Sequence, residues 1–361
     1  MIITREQVLK ALSYVEEPDL KKDLVTLNMI EDINIEGNHV SFSVILTTPA
    51  CPLKEVIENA CRNAITHFVS PDAQVTVHMK SRVTTQKDQP LKNIRNIIVV
   101  ASGKGGVGKS TVSANLALGL SKKGAKVGLI DADIYGPSIP IMFGVEGARP
   151  KGSQGADGKT RIEPIEKFGI KMLSIGFFTD PNQPVPWRGP MVSTAVKQLF
   201  NDADWGELDY LIVDLPPGTG DIHITLSQTY PVAGAVIVTT PQNVALSDAR
   251  KGIGMFLMNA INVPILGIIE NMSFFTPAEL PENKYYIFGE GGGKRLAQQF
   301  DVPFLGGIPL VKSITEAGDS GVPVILQENS PVAAAFAEIA EKVAQQVSIQ
   351  NAENARLVGA N

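Results

Sequence analysis

Eight consecutive residues, Gly103-Lys104-Gly105-Gly106-Val107-Gly108-Lys109-Ser110, followed by Thr111, fit the spacing G-x-x-x-x-G-K-[ST]. That spacing suits phosphate for a physical reason. Glycines let the backbone wrap until successive N–H groups point inward at phosphate oxygens, and the following helix N-terminus adds its partial positive charge. Lys109 would neutralise the β and γ phosphates of ATP, and the Ser110 hydroxyl would ligate Mg²⁺. The plain alternative is a glycine-rich turn with no ligand. Its flanks argue against that: an apolar run at 97–101 precedes it and a helical pattern at 112–120 follows. Two further runs end in acids. Residues 127–133 close on Asp131 and Asp133, and 210–214 close on Asp214, the Walker B pattern of an acid that holds Mg²⁺ through its water shell. Pro216-Pro217-Gly218-Thr219-Gly220-Asp221 is a stiff, turn-rich loop in which Gly218 can offer a backbone N–H to a γ phosphate. A lone strand-terminal aspartate is commonly a turn former; two of them downstream of a phosphate loop point to metal-assisted phosphoryl chemistry. Asp248 and Arg250 face the nucleotide, a partner or simply solvent.

Elements of two kinds must hold these residues. Short apolar runs at 97–100, 127–130, 210–213, 235–238 and 265–269 lack strict alternation, and several are separated by helix-length segments. Strands covered by helices on both faces give this pattern. The fold class is therefore α/β, with a mostly parallel sheet flanked by helices, preceded by a small α/β domain. In that small domain Thr4 and Gln7 have capping-box spacing. Val40, Phe42, Val44 and Leu46 alternate after the turn-like Glu36-Gly37-Asn38, which predicts a hairpin strand. Pro52 opens a helix with apolar positions Leu53, Val56, Ile57, Ala60, Cys61, Ala64, Ile65 and Phe68, and Val75, Val77 and Met79 alternate as a closing strand. The polar stretch 84–93 reads as a linker between domains at 1–83 and 94–348. A last helix is expected at 333–347 and a flexible tail at 349–361.

Composition narrows the classes. Among 361 residues, 44% are hydrophobic, so a substantial core is available; 32 basic and 37 acidic side chains leave a net charge of −5, which argues against a nucleic-acid partner. No apolar run approaches the roughly 18 residues of a membrane span. Residues 333–347 contain Lys342 as their only basic side chain, unlike a membrane-surface helix. No secretory signal is visible, and two cysteines suit a reducing compartment, so a cytoplasmic protein is expected. Cys61 lies on the apolar helix face and reads as a buried core thiol. Cys51 immediately precedes Pro52, placing its sulfur near a helix N-terminus, where a thiol pKa falls and thiolate chemistry or metal ligation is favoured. His39, His67, His78 and His223 have no metal-ligand spacing and read as packing or surface residues.

Gly103 to Thr111 resembles the deviant Walker A loop of the MinD/ParA-type ATPases, a family that includes nitrogenase iron protein and the Mrp proteins. The resemblance implies a P-loop NTPase fold and an ATP-hydrolysing homodimer, in which the extra lysine, here Lys104, reaches across to the partner's phosphates. Asp133 resembles the aspartate that positions or activates the attacking water, and Asn271 matches the adenine-contacting asparagine. Residues 131–138, Trp187-Arg188-Gly189-Pro190-Met191, 214–221 and Asn271-Met272-Ser273 together are similar to the Mrp (ApbC-type) iron–sulfur carrier ATPases. Glu17-Pro18-Asp19 and 46–53, with Cys51, are similar to the small domain of iron–sulfur assembly factors. This implies a slow, switch-type hydrolase that passes iron–sulfur clusters from scaffold to apoprotein clients. One departure matters. The family's C-x-x-C pair follows the N-M-S stretch, whereas here Phe274-Phe275-Thr276-Pro277-Ala278-Glu279-Leu280-Pro281 has no cysteine, so the usual bridging cluster cannot be built there. Glu279 offers an oxygen in principle but reads as a loop-surface residue. Two other readings stand beside the first: a surface-loading switch of MinD/ParA character, and a regulatory ATPase that has lost cluster carriage.

Overall fold

The computed structural model describes residues 3–85, 91, 93–154, 158, 160–179, 189–277, 279–280 and 282–359. Two compact units emerge, Met1–Thr84 with Ser348–Asn361, and Thr85–Val347.

In the smaller unit α1 (Arg5–Leu12) begins at a capping box. The Thr4 hydroxyl accepts the Gln7 N–H at 3.3 Å and Gln7 Oε1 accepts the Thr4 N–H at 2.9 Å. A two-residue ladder, β1 (Glu16–Glu17) with β2 (Lys22–Asp23), is followed by the antiparallel pair β3 (Ile30–Glu36) and β4 (His39–Leu46). Then come α2 (Lys54–Phe68) and β5 (Gln74–Ser81), which lies parallel to β4. Val40, Phe42, Val44 and Leu46 are buried together with Ile57, Cys61 and Ile65 of α2 and Val8 and Leu12 of α1. Two expectations need correction. The helix starts at Lys54, so Pro52 lies in the turn before it and not at its first position. Val56 and Phe68 are more than half exposed, because a three-stranded sheet covers only the narrow stripe of Ile57, Cys61, Ala64 and Ile65.

The larger unit runs β6 (Ile94–Ala101), α3 (Lys109–Lys122), β7 (Val127–Asp131), α4 (Ile139–Met142), then a hairpin-like pair β8 (Lys151–Gln154) and β9 (Thr160–Glu163). It continues through β10 (Ile165–Lys167), β11 (Ile170–Ser174), α5 (Gly189–Asn201), β12 (Leu208–Asp214), α6 (Asp221–Thr229), β13 (Val232–Thr239), α7 (Asn243–Phe256) and β14 (Ile265–Glu270). The last elements are α8 (Gly292–Phe300), β15 (Phe304–Gly307), α9 (Lys312–Asp319) and α10 (Pro331–Gly359). One eight-stranded sheet has the order β10-β11-β7-β12-β6-β13-β14-β15, parallel except for β10 at its edge. Every residue of β7, β13 and β14 is buried, which is why these runs show no alternation. β6 sits between β12 and β13, which the chain reaches in opposite directions, and ligands of such sheets bind at the carboxyl ends where the order reverses. Asp131 and Asp214 are register partners there.

Parts of the expected linker (86–90 and 92), and Trp187 and Arg188, lie outside the described residues. The segment read as a flexible tail, 349–361, is instead helical through Gly359 as the continuation of α10. The reason is visible in its contacts: Asn351 Nδ2 donates to the Thr84 carbonyl at 3.3 Å and hydroxyl at 3.2 Å, and Arg356 donates to the Leu20 carbonyl at 2.7 Å. Among the described residues no helix is long and apolar enough to cross a membrane. Because residues from Ser348 onward belong with the smaller unit, truncation after Val347 is expected to destabilise that unit by about 1–3 kcal/mol. Hydrogen exchange of α1 and β3–β5 in the truncated chain, against that of β6 and β12 as an internal reference, measures this directly.

Candidate functional site

β6 delivers the chain to the phosphate-loop sequence at the sheet's carboxyl edge, and α3 leaves it. Two glycines are there by necessity. A Cβ on Gly103 would fall 2.1 Å from the Asp248 carbonyl carbon, so the loop can pass α7 only without a side chain. Gly108 caps α3 at φ +82°, and a Cβ there would meet Asn271 Nδ2 at 2.1 Å. Asn271 follows β14 directly and donates from Nδ2 to the Val107 carbonyl at 2.8 Å, tying the strand end to the loop. Ser102 Oγ donates to the Lys104 carbonyl at 3.0 Å.

The charged centre lies at the start of α3. Lys109 is 6% exposed, and its Nζ stands 2.9 Å from Asp214 Oδ1, 3.7 Å from Asp133 Oδ2 and 3.2 Å from Ser110 Oγ. Asp214, fully buried, also accepts the Ser110 hydroxyl at 2.5 Å and the Ser113 hydroxyl at 2.6 Å. Behind it Asp131 accepts the Asp133 and Ile139 N–H groups, each at 3.2 Å, and the Ser174 hydroxyl at 3.0 Å. Burial, reinforced by the Asp214 charge, pushes Asp131 up to about 8, against the pull of Ser174, Lys109 and the Ile139 N–H. Burial also raises Asp133; the Lys109 ammonium opposes that rise and Asp214 adds to it. Ser113 and Ser174 carry no motif of their own. Only the helical offset of Ser113 from Lys109, four residues on, was available as a signal.

The structure therefore brings Lys109, Ser110, Asp133 and Asp214 into one cluster and places Gly103, Gly105, Gly106, Val107, Gly108 and Asn271 around it. Thr111, half-buried, lines a cavity of about 350 Å³ with Gly108, Asn271, Met272, Leu310 and Asp319, a space of mixed apolar and polar walls next to the loop. Lys104 is exposed and, among the described residues, makes no ion pair. The Gly218 N–H is engaged within the chain. It donates to the Ser102 carbonyl at 2.8 Å, at the base of the phosphate loop. Arg250 Nε pairs with Gln299 at 3.2 Å and Asp248 with Lys251 at 3.1 Å, engaged on the helix surface.

Hydroxyl and carboxylate oxygens at Ser110 and Asp214 are the hard donors that Mg²⁺ takes. Among the described residues no three His, Cys, Asp or Glu side chains converge to cage a metal. For iron the thiols are few. Cys61 is buried, and desolvation pushes it up to about 12; Cys51, half-buried in the turn before α2, is the more accessible thiol. Where the resemblance would place C-x-x-C, Phe275 is bridged to Tyr285 and Leu310, Lys284 lies over the Phe274 ring at 4.5 Å, and Glu279 is exposed. Ala278 and Pro281 lie outside the described residues.

Residues 93–344 match the family described as ParA, NUBPL iron-transfer P-loop NTPase, and residues 5–78 match the family described as iron–sulfur cluster assembly protein. The chain belongs to this P-loop NTPase family. It is similar to an iron–sulfur cluster carrier protein of Synechocystis sp., 48% identical, with 96% of this chain and 99% of that one covered. A second relative, the iron–sulfur cluster carrier protein of Deinococcus radiodurans, is 45% identical, with 96% of each covered. Among solved structures, the nucleotide-binding protein in complex with ADP from Archaeoglobus fulgidus is 38% identical with a TM-score of 0.55, covering 64% of this chain and 88% of that one.

Asp131 gives a pH prediction. A carboxyl raised from 3.8 to about 8 holds its proton longer in the folded than in the unfolded chain, so its contribution is full at acid pH and is lost as pH rises toward 8. Asp131→Asn should remove up to ~1.4 kcal/mol per pH unit from the downward slope of stability between pH 5 and 8. Urea melts of the nucleotide-free protein at several pH values test it; an unchanged slope would show that Asp131 is ionised throughout.

Proposed function

We propose that this protein is a homodimeric Mg-ATPase whose slow nucleotide cycle serves the transfer of iron–sulfur clusters from scaffold to apoprotein. The observation that carries the reading is the collapsed cluster of Lys109, Ser110, Asp133 and Asp214. Each of these groups is engaged with another of them, and each has a natural alternative partner in a nucleotide. A triphosphate gives Lys109 oxygens to replace Asp214 and Asp133. Magnesium, held by Ser110 and through water by Asp214, would offset charge on the β and γ phosphates. Asp133, released by Lys109, becomes available to accept a proton from the attacking water. The Gly218 N–H changes partner from the Ser102 carbonyl to a γ oxygen, so the loop 216–220 registers whether a γ phosphate is present. The cavity by Thr111 and Asn271, with its mixed apolar and polar walls, suits the base and ribose. Among the described residues Lys104 makes no ion pair in its own protomer, and a second copy facing the loop would supply an acceptor.

The cluster is cargo in this reading. Residues 274–281 carry no cysteine and Cys61 is buried, so Cys51 is the thiol this chain can offer, and a second copy or a client supplies the remaining ligands. The same observation favours a second reading, a nucleotide-switch ATPase that assists transfer without holding a cluster. Anaerobic reconstitution followed by iron and sulfide analysis separates the two. Carriage predicts bound iron and sulfide that are lost in Cys51→Ser; no bound iron in the parent protein leaves the switch reading. Lys104→Ala tests the shared premise. ATP hydrolysis should fall by at least about tenfold and nucleotide-dependent dimerisation should disappear, while each protomer still binds ATP. Parent-level behaviour in both assays would refute the inter-subunit role.

A further inference from the structure

A cavity of about 460 Å³ lies beside the charged cluster. Its walls include Asp133 from the segment after β7, Pro216 and Gly220 from the loop after β12, and Asp221 and His223 from the first turn of α6. The scheme above uses Asp133 and the loop but leaves His223 without a task. The ring is 1% exposed, and Nδ1 lies 3.2 Å from the Gly220 carbonyl. A carbonyl oxygen can only accept, so Nδ1 carries the proton and Nε2 presents a lone pair. That Nε2 is buried and has no hydrogen-bond partner. Buried acceptors are almost always satisfied, and one left unpartnered on a residue that lines a cavity points to a donor that a rearranged, liganded site would bring to it. The neighbouring Phe256 ring, 6.3 Å away, is apolar and supplies none. Burial keeps His223 below its ordinary pKa, and the Lys109 charge acts in the same direction, against the opposing pull of the Gly220 and Pro216 carbonyls. The lone pair is therefore available at neutral pH.

Asp133 and His223 thus both line one largely apolar cavity next to the phosphate loop, and the unpartnered Nε2 is buried at its edge. The small molecule that matches two acceptors is one with two O–H donors. We infer that this cavity seats the hydrolytic water and that His223 Nε2 is its second orienting acceptor, alongside Asp133. The inference rests on the ATPase reading. As the water oxygen bonds to the γ phosphorus, the bond from that phosphorus to the β–γ bridging oxygen breaks and ADP keeps the electron pair. The water's proton passes to Asp133 and from there to the released phosphate. His223 holds the second hydrogen throughout and ends in the protonation state in which it began. The ring also fastens α6 to Gly220, so the water is oriented only when the loop 216–220 is in place.

Three variants test this. His223→Leu removes the acceptor, His223→Gln keeps an acceptor and a donor without a titrating ring, and Ser227→Ala probes a rival. Ser227, one turn further along α6, has its own buried unpartnered hydroxyl, and a water shared by it and Nε2 would be a purely structural explanation. Single-turnover ATP hydrolysis, binding of a fluorescent ATP analogue and thermal melting are measured on the full chain. His223→Leu should lower kcat by at least about tenfold while KM and analogue affinity stay within about twofold. His223→Gln should recover to within about threefold of the parent, and Ser227→Ala should hydrolyse at the parent rate. A parent-like His223→Leu, equally slow Leu and Gln variants, or a Ser227→Ala as slow as His223→Leu each overturns the role of His223 alone. A parent chain that binds ATP and does not hydrolyse it overturns the ATPase reading and this inference with it. If His223→Leu does not fold, His223→Asn replaces it; its side chain is too short to hold the lone pair in place, and parent-like hydrolysis would be decisive against the proposal.

Discussion

The contact between Lys109 and Asp214 is the constraint on which the rest of the molecule depends. An ammonium 6% exposed and a carboxylate fully withdrawn from water stand 2.9 Å apart. Removing one member of such a pair costs about 3–5 kcal/mol, because the other is left buried and uncompensated. A group in that position is stable only while some opposite charge is in reach. The structure satisfies Lys109 internally, with Asp214 and Asp133, and satisfies Asp214 with the Ser110 and Ser113 hydroxyls. A ligand that takes Lys109 must therefore bring negative charge for the lysine and leave a cation or donor for the aspartate. A metal-bound polyphosphate does both at once; a neutral ligand or a bare cation does only one.

That exchange explains why the sheet is ordered as it is. Asp214 and Asp131 end neighbouring strands in register, and Asn271 ends a strand on the far side of β6, so the loop after β6 is gripped from both directions. The grip is made of single contacts that can each change partner: the Gly218 N–H on the Ser102 carbonyl, the Asn271 amide on the Val107 carbonyl, Asp133 on Lys109. Rigid strands fix where these groups lie, and the segments that follow the strands decide what they hold. Asp131 stabilises this arrangement from behind, since its oxygens accept from both ends of the segment that carries Asp133.

Much of this was legible in the sequence. Unbroken apolar runs at β6, β7, β12, β13 and β14 announce buried parallel strands, and the glycine spacing with Lys109 and Ser110 announces the loop. Less visible was whatever depends on partners distant in the chain. The edge elements β8 to β11 and β15 are short and in part polar, so no periodicity separates them from loops. The tail seemed loose because its polar residues Asn351 and Arg356 have no local reason to be ordered; their partners are Thr84 and Leu20, more than 260 residues away. The surplus apolar positions Val56 and Phe68 in α2 looked like core because helical spacing alone does not reveal how wide a stripe the neighbouring sheet can cover. That the Gly218 N–H is held by the Ser102 carbonyl was equally hidden, because that partner is distant in the chain.

The two lysines of the loop show how one motif divides its labour. Lys109, at the start of α3, is buried and its charge is consumed by Asp214 and Asp133. Lys104, five residues earlier, is exposed, and its backbone carbonyl is held by Ser102 Oγ while its side chain makes no ion pair among the described residues. A fixed backbone under a mobile cationic side chain suits reach, not structure, because the charge stays solvated until something negative approaches and the loop does not have to deform to meet it. Asp214 and Asp133, the carboxylates beside the start of α3, are engaged with Lys109. In the proposed dimer, a phosphate held by the facing loop of a second copy would answer the Lys104 charge with the symmetry a pair of identical chains imposes.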